Sequence, residues 1–378
     1  MRITMLSKAV VVGAYQRKLE KLARLPDVDL TVIVPPRWRD SRGEAPLERA
    51  YVQGYRLVES PIVLNGHYHA HFYPRLGREL DRSQPDLVHV DEEPYNLAAW
   101  QATRWAAHHR RPAIFFTWQN LGRRYPPPFN WIERYNYRLA AHAIAGNQEA
   151  RQVLRTKGYA GPISVIPQFG VDPDLYRPEP GAHAVGNSRG TALVAGYAGG
   201  LVPEKGVDVL LHAVAICRRR ALPCRAVIAG AGPEQPKLEA LAKQLAIGDA
   251  VTFVGRLAST DMPSFYAGID VLVLPSRTTS NWKEQFGRVL IEAMACERAV
   301  LGSDSGEIPH VIGEAGWVFS ESDAEGLAAQ LQRLAADPDL RAGLGRQGRQ
   351  RVLQHYTQQR VAAATYEVYR QVLTGWAE

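Results

Sequence analysis

The sequence has few cysteines and no long apolar run. Its 378 residues include three cysteines, an odd number without paired metal-ligand spacing, which argues against a disulfide framework. We expect Cys217, Cys224 and Cys296 to be reduced, structural thiols. The longest nearly apolar stretch, residues 192–202, contains three glycines and is shorter than the roughly 18 residues of a membrane-spanning helix. The sequence therefore predicts no membrane span.

Signals typical of other protein classes are also missing. Met1 leads directly into an apolar run, without the basic start and cleavage site of a signal peptide, so we expect the protein to stay in the cytoplasm. No predicted strand is followed by Gly-x-Gly-x-x-Gly with an acidic residue downstream, which disfavours a nicotinamide dehydrogenase.

Positive charge is concentrated in the first half of the chain. Residues 1–180 hold 25 Lys and Arg against 18 Asp and Glu, whereas residues 181–378 hold 20 against 20. The excess could serve an anionic membrane surface, an anionic acceptor or nucleic acid, or form a solvated Arg-rich face. Because no nucleic-acid motif or interleaved aromatic residues accompany it, we predict no nucleic-acid partner. Peripheral contact with the inner membrane face remains open.

Short apolar segments alternate with helical patterns in both halves, a signature of parallel sheets. The strands predicted in the first half are 3–6, 30–34, 87–90, 113–117, 143–145 and 163–166. Those predicted in the second half are 193–197, 226–229, 251–254, 271–274, 299–302 and 317–319. Residues 172–190 have linker composition, which predicts a boundary between two α/β domains. Ligands bind at the carboxyl ends of such strands, so we expect the site in a cleft between two facing sheets.

A glycine-containing loop, residues 198–206, follows the first strand of the second half. Gly199 and Gly200 would let backbone amides approach an anion, and Lys205 could reach a diphosphate at the start of the next helix. The alternative is a tight turn with a solvated lysine.

A second element spans residues 284–292. Gly287 at a helix entry would let a phosphate approach the amides of Arg288 and Val289, while Glu284 and Glu292 could accept hydrogen bonds from sugar hydroxyls. The alternative is an amphipathic helix with one exposed Glu and one capping Glu.

Five such runs follow predicted strands in order. They are AGGLVPEKG at 198–206, AGAGPE at 229–234, FVGRL at 253–257, EQFGRVLIE at 284–292 and SDSGEIP at 303–309. This succession resembles the donor domain of the retaining glycosyltransferases of family 4, which have the GT-B fold of two Rossmann-like βαβ domains. The resemblance covers essentially the whole chain, and its most specific part is the pair of glutamates at 284 and 292.

The resemblance implies roles for particular residues. Glu284 would contact hydroxyls of the transferred sugar, Glu292 the nucleotide ribose and Lys205 the diphosphate. The remaining donor-binding residues would be Gly199, Gly200, Gly230, Val254, Arg256, Phe286, Gly287, Arg288 and Val289. Residues 172–360 would bind the donor and residues 1–171 the acceptor, with a C-terminal helix at about 361–378 returning to the first domain.

Two positions depart from the family pattern. Gly200 stands where relatives commonly carry an arginine beside the lysine, and either Arg256 or Arg288 could compensate. Gln119 stands where relatives commonly have a histidine near the reacting sugar, and glutamine cannot take up a proton. The mechanism implied by the family tolerates this loss, because the leaving phosphate accepts the proton on the face where the acceptor attacks. No covalent intermediate is expected.

Acceptor-side candidates lie in the first half. Asp91, Glu92 and Glu93 follow a strand and either orient acceptor hydroxyls or form a solvated turn. Gly13 lies in the loop that joins the first strand to the first helix, beside the expected substrates.

Three alternating histidines, His67, His69 and His71, could bind a metal if they formed a strand. We expect an acceptor-lining loop there instead, and neither a metal nor a cofactor. The sequence thus predicts a retaining hexosyltransferase acting on a nucleoside diphosphate sugar, with UDP favoured and GDP-mannose second, and on a glycan or lipid-linked acceptor. A sugar-nucleotide epimerase and a non-catalytic sugar-nucleotide binding protein are the alternatives.

Overall fold

The computed structural model describes residues 1–40, 43–178 and 192–377. The chain divides into two compact units, one formed by Met1–Gly170 with Gln358–Glu378 and the other by Val171–Thr357. Residues 179–190 of the predicted linker lie outside the described residues.

The first unit contains a seven-stranded parallel sheet and a separate antiparallel hairpin. Its strands are β1 (Arg2–Leu6), β2 (Asp29–Val34), β3 (Arg37–Asp40), β4 (Gly43–Pro46), β5 (Arg56–Glu59), β6 (Leu87–Val90), β7 (Ala113–Thr117), β8 (His142–Ala145) and β9 (Ile163–Val165). The sheet order is β5-β2-β1-β6-β7-β8-β9, and β3 pairs with β4. The sequence did not predict β5, because an edge strand is only half buried and its RLVE sequence has polar ends.

Helices cover both faces of this sheet. They are α1 (Gly13–Ala23), α2 (Leu76–Ser83), α3 (Leu97–His108), α4 (Phe129–Leu139), α5 (Gln148–Thr156) and the C-terminal helix Gln358–Ala377. Asn96 caps α3 by accepting a hydrogen bond from the Ala99 amide. On one face of the sheet, Val361, Val368 and Tyr369 of the C-terminal helix join the apolar core. The predicted return of this helix to the first unit is confirmed.

The second unit is built around a six-stranded parallel sheet. Its strands are β10 (Leu193–Ala198), β11 (Cys224–Ala229), β12 (Val251–Gly255), β13 (Val271–Leu274), β14 (Ala299–Ser303) and β15 (Trp317–Phe319). Its helices are α6 (Val207–Arg219), α7 (Gln235–Gln244), α8 (Met262–Ala267), α9 (Arg288–Ala295), α10 (Ile308–Ile312), α11 (Ala324–Ala336) and α12 (Pro338–His355). The sheet order is β12-β11-β10-β13-β14-β15.

Both sheets reverse their strand order at one point, between β1 and β6 in the first unit and between β10 and β13 in the second. Helices connected to the two sides of such a point diverge, which leaves room for a ligand at the carboxyl ends of the two strands. The loops after these four strands are therefore where a site is expected. In the part of the chain that the structure describes, no helix combines the length and apolar character needed to cross a membrane.

Candidate functional site

An ion pair lies at the strand-order reversal of the second unit. Lys205 ends a short 3-10 turn after β10, Glu284 lies in the loop after β13, and the Lys205 Nζ is 2.6 Å from the Glu284 Oε2. The Ser276 hydroxyl donates a second hydrogen bond of 2.9 Å to the same carboxylate oxygen. Lys205 keeps 22% of its side chain exposed, whereas Glu284 keeps 9%. Two residues 79 positions apart thus present a cation and a carboxylate together.

Two glycines allow the surrounding loops to approach this closely. Gly206 has a φ of +62°, and a Cβ there would lie 2.0 Å from the Pro275 carbonyl oxygen. Gly306 has a φ of +55°, and a Cβ there would lie 2.1 Å from the Glu284 carbonyl oxygen. Any other residue would push the loops after β10, β13 and β14 apart, so the glycines help to position Lys205 and Glu284.

The predicted glycine-rich loop packs against the loop after β11. A Cβ on Gly230 would lie 1.8 Å from the Gly199 carbonyl oxygen, which shows how closely the two backbones meet. The Tyr197 hydroxyl donates a 2.8 Å hydrogen bond to the Gly200 carbonyl and fixes the loop. A Cβ on Gly200 would meet nothing within 4 Å. The structure therefore brings Gly199, Gly200 and Gly230 together and leaves space beside Gly200.

Gly287 forms the entry to α9, as predicted. It adopts a left-handed conformation with a φ of +75°, and no described side chain caps the helix. Phe286 is buried just before it. The amides of Arg288 and Val289 belong to the first helical turn, where backbone N–H groups lack intrahelical acceptors and carry partial positive charge. This end of α9 is chemically suited to an anion.

Glu292 is buried rather than exposed. The Tyr266 hydroxyl donates to its Oε2 at 2.8 Å, and the Arg288 Nε lies 2.9 Å from its Oε1. Burial and the adjacent Glu292 carboxylate raise the pKa of Tyr266 well above its usual value, so the phenol remains a donor. The reading of this segment as a helix with one exposed Glu is wrong. Because Arg288 already pairs with Glu292, it is a poor substitute for the arginine missing at position 200.

Two predicted donor residues lie farther along the sheet. Val254 is 40% exposed on the edge strand β12, and the exposed Arg256 follows the end of that strand. In the sheet order, β12 is separated from β10 by β11. These residues could thus contact only a part of a ligand remote from Lys205.

A second lysine–carboxylate pair lies at the strand-order reversal of the first unit. The Lys8 ammonium pairs with the Glu92 carboxylate, whose Oε1 also accepts a 2.9 Å hydrogen bond from the Lys8 amide. Asn96 donates to the same carboxylate at 3.1 Å, and the His71 Nε2 lies 3.6 Å away. Burial by itself would raise the pKa of Glu92, but Lys8 and His71 outweigh it and lower the pKa to about 2. Glu92 is therefore ionised at neutral pH and held by protein groups, and it is not a solvated turn residue.

Replacing Glu92 by Gln should destabilise the protein in a pH-dependent way. The folded-state pKa is lowered from 4.5 to about 2, so the carboxylate stabilises the fold above pH 4.5 and loses this effect as the pH falls toward 2. We expect Glu92→Gln to lower the free energy of unfolding at pH 7 by about 3 kcal/mol. The difference in stability between the variant and the unmodified protein should shrink as the pH falls from 4.5 toward 2. Urea unfolding across this range measures the difference. Glu44→Gln, which removes an exposed ion pair with Arg39, should show no such trend, and an equal trend would contradict the assignment.

The other acceptor-side candidates are also held by protein groups. Glu93 accepts hydrogen bonds from the Thr117 hydroxyl at 2.6 Å and the Trp118 amide at 2.8 Å, and burial raises its pKa. The Gln119 side-chain amide donates to the Tyr125 hydroxyl at 2.8 Å. Glu93, from the loop after β6, thus contacts the end of β7, which Gln119 follows, and each of the two side chains has a fixed orientation.

Gly13 was predicted in a loop, but it is the first residue of α1. Its amide donates a 2.6 Å hydrogen bond to the Glu48 Oε2, and a Cβ there would collide with that carboxylate. A carboxylate at a helix start satisfies an amide that has no intrahelical partner, so Glu48 stabilises a helix start at a residue that was expected in the loop.

The three alternating histidines do not form a strand. Their segment is a series of turns closed by an antiparallel bridge between Val63 and Phe72. The ring of His69 packs against those of Tyr95 and Tyr125, with centroids 5.1 and 5.2 Å away. His71 is buried beside Glu92. Among residues 1–40, 43–178 and 192–377, no group of His, Cys, Asp and Glu could hold a metal ion.

Several residues of these sites were not found from the sequence. They are Lys8, Tyr197, Tyr266 and Ser276, whereas His71 was named only as a possible metal ligand or as part of an acceptor-lining loop. Only Lys8 had a sequence signal that could have identified it as a site residue. It follows the first strand of the first unit, just as the glycine-rich loop follows the first strand of the second unit. The others are single polar residues whose partners are distant in sequence.

Comparison with known families supports this picture. The family model described as "Glycosyltransferase Family 4" matches residues 17–175, and that described as "Glycosyl transferases group 1" matches residues 181–351. A D-inositol 3-phosphate glycosyltransferase of Streptomyces bingchenggensis is 30% identical over 253 residues, 63% of this chain and 54% of that protein. A GDP-mannose-dependent alpha-(1-6)-phosphatidylinositol monomannoside mannosyltransferase of Mycolicibacterium smegmatis is 32% identical over 205 residues, 52% and 54% of the two chains. The chain spans about half the length of these relatives.

Solved structures share the fold over nearly the whole chain. Sucrose-phosphate synthase from Thermosynechococcus elongatus superposes with a TM-score of 0.74 at 20% identity and covers 99% of both chains. Anabaena HepE in complex with UDP gives a TM-score of 0.77 at 19% identity, covering 98% of this chain and all of that one. The predicted GT-B class of two Rossmann-like α/β units is confirmed. Since the two family models together match most of the sequence, the chain belongs to glycosyltransferase family 4.

Proposed function

We propose that this protein is a retaining glycosyltransferase that moves a hexosyl group from a nucleoside diphosphate sugar to a glycan or lipid-linked acceptor. The observation that carries the proposal is the Lys205–Glu284 pair at the strand-order reversal of the second unit. A donor of this kind places a diphosphate directly beside sugar hydroxyls. The cation can bind the diphosphate, and the carboxylate can accept hydrogen bonds from the hydroxyls. The second unit would bind the donor and the first unit the acceptor.

Each donor group has a proposed partner. Lys205 and the amides at the start of α9 would hold the diphosphate, because both offer positive charge. Glu284 would accept hydrogen bonds from sugar hydroxyls, and Glu292 from the ribose. The Tyr266 hydroxyl holds Glu292 in a fixed orientation, so we count Tyr266 as a positioning residue.

The proposed reaction proceeds on one face of the sugar. The acceptor oxygen forms a bond to the anomeric carbon on the side from which the diphosphate leaves. The bond between that carbon and the phosphate oxygen breaks with both electrons on the oxygen, which then takes the acceptor proton. A double displacement needs a carboxylate about 5 Å from an acid across the scissile bond, whereas Glu284 is engaged by Lys205 and Ser276. We therefore propose no covalent intermediate and no metal requirement.

The donor base is proposed as uridine, with GDP-mannose as the second candidate. GDP-mannose stays a candidate because a relative 32% identical to this chain is named GDP-mannose-dependent.

A donor panel tests the proposal. Binding to the native state raises the melting temperature, so one of UDP-glucose, GDP-mannose and ADP-glucose should do so, without magnesium and in the presence of EDTA. Transfer to an added acceptor should release nucleoside diphosphate, and NMR of the product should show the anomeric configuration of the donor. Interconversion of donor sugars without release would indicate an epimerase. A binding protein would shift the melting temperature without turnover, and a trapped glycosyl-enzyme would contradict the same-face reaction.

Restoring the missing arginine should raise activity. Gly200 has no strained φ, and a side chain there would enter open space. An arginine could therefore add a second cation near Lys205 without disturbing the loop. We expect Gly200→Arg to raise kcat by about 10-fold or more, since an oriented charge in a site can stabilise a transition state by several kcal/mol. Gly200→Met is the matched control of similar length, and an equal rise in both variants would contradict an electrostatic effect.

A further inference from the structure

An exposed surface on α3 and α4 of the first unit combines aromatic rings with arginines, which corrects the expectation that no aromatic residues are interleaved with the positive charge. It is formed by Trp100, Arg104, Trp131, Arg134, Tyr135 and Arg138, which we call the aromatic–arginine surface. The rings of Trp100 and Tyr135 lie 6.3 Å apart and join the two helices. Trp131, one turn before Tyr135, is 62% exposed. An exposed tryptophan on the same helix as one of these two rings, with arginines beside it, is typical of a surface that contacts a partner.

The charge of this surface has one sign. Residues 97–139 contain seven arginines and a single acidic residue, Glu133. Glu133 is buried and lies 2.5 Å from the Lys157 ammonium, so it does not offset the exposed arginines. On α2, the Asp81 carboxylate accepts a hydrogen bond from the Trp105 indole of α3 and lies 3.5 Å from His109, so it is engaged by protein groups. The outer face of α3 and α4 is therefore suited to an anionic partner.

A pocket of about 410 Å³ lies next to this surface, between α2 and α3. Its lining includes Leu76, Trp100, Arg104, Trp105, His108 and His109. A guanidinium and two imidazoles beside apolar rings suit a phosphate that is attached to a less polar group.

We propose that the aromatic–arginine surface binds the first unit to an anionic phospholipid bilayer. Tryptophan and tyrosine prefer the boundary between headgroups and acyl chains, and arginines can extend their apolar stems while their charges meet lipid phosphates. Nucleic acid fits less well. Arg104 lies 5.1 Å over the Trp100 ring and Arg138 lies 5.8 Å over the Tyr135 ring, so a guanidinium already occupies one face of each of these rings, which leaves fewer ring faces for stacking on bases.

Vesicle co-sedimentation tests this proposal in the absence of donor and acceptor, so its failure would leave the transfer reaction untouched. The full-length protein should bind vesicles of phosphatidylcholine with phosphatidylglycerol, and not phosphatidylcholine alone or at high salt. The triple variant Arg104→Gln, Arg134→Gln, Arg138→Gln should bind at least tenfold more weakly, since each basic residue near the surface contributes roughly fivefold. Trp131→Ala should also weaken binding several-fold. These residues are exposed, and an unchanged melting temperature would show that the variants are folded.

The matched control removes three exposed arginines elsewhere in the first unit, Arg37→Gln, Arg49→Gln and Arg56→Gln. It changes the net charge equally and should keep vesicle binding. Equal loss in the control, no binding by the unmodified protein, or unaffected binding by the triple variant would overturn the proposal. Tighter binding of the protein to a single-stranded oligonucleotide than to vesicles would also overturn it. The same holds if the protein self-associates through Trp131, so that Trp131→Ala abolishes the self-association, and does not bind vesicles.

Discussion

Lys205→Met is expected to lower kcat for glycosyl transfer by roughly 100- to 1000-fold, the range typical for loss of one oriented charge or donor that stabilises a transition state. Negative charge grows on the diphosphate as its bond to the sugar breaks, so the ammonium contributes more in the transition state than in donor binding. The lysine is also preorganised, because Glu284 holds it at 2.6 Å and its ammonium lies 4.6 Å from the centre of the Trp282 ring. Steady-state release of nucleoside diphosphate measures the effect, and KM should change much less than kcat.

Lys237→Met provides the control for that experiment. Lys237 belongs to the same unit, is 75% exposed and pairs with Glu234 on the surface. Its removal should leave kcat within about twofold, because exposed ion pairs contribute little. A Lys205→Met enzyme with unchanged kcat would show that another group stabilises the leaving diphosphate. The reason given for expecting a higher kcat in Gly200→Arg, a second cation beside Lys205, would then fall away.

Glu284→Gln is expected to lower kcat/KM by about 100-fold or more. The carboxylate can accept two charge-assisted hydrogen bonds from sugar hydroxyls, which are about twice as strong as neutral ones. Its loss also deprives Lys205 of its partner, so the ammonium becomes less well positioned for the diphosphate. Measurement of kcat and KM with the donor identified by the panel tests this expectation.

The two substitutions should not be additive. Because Lys205 and Glu284 contact each other, the double variant Lys205→Met, Glu284→Gln should lose less activity than the product of the single losses. Strict additivity would mean that the 2.6 Å pair does not act as a unit in catalysis. Glu325→Gln, which removes an exposed pair with Arg220, is the matched carboxylate control and should retain full activity.

The lysine–carboxylate pairs in the two units arise from the same topological feature. In each sheet, the lysine follows the first strand and the glutamate follows the strand on the other side of the order reversal, as Lys8 and Glu92 do in the first unit. Carboxyl ends of adjacent parallel strands meet at one edge, so residues that are remote in sequence become neighbours. The first pair is more buried than the second, which suits it to hold its loops in place.

Much of the second unit could be predicted because its signals are local. Apolar runs predicted its six strands, and Gly287 marked the start of α9. The edge strand β5 and the hairpin β3–β4 were missed, since a strand exposed on one side lacks a continuous apolar run. The histidine segment was ambiguous for a similar reason, because alternation alone does not separate a strand from a series of turns.

The amino-acid sequence by itself determined the two α/β units, the family, and the positions of the glycines and charged residues that follow the strands. These depend on hydrophobic periodicity and on local backbone requirements, which neighbouring residues carry. Only the tertiary structure decided the partners: Glu284 with Lys205 and Ser276, Glu292 with Tyr266 and Arg288. A hydrogen bond between residues on different strands depends on strand order and loop approach, and neither is encoded in the spacing of a motif.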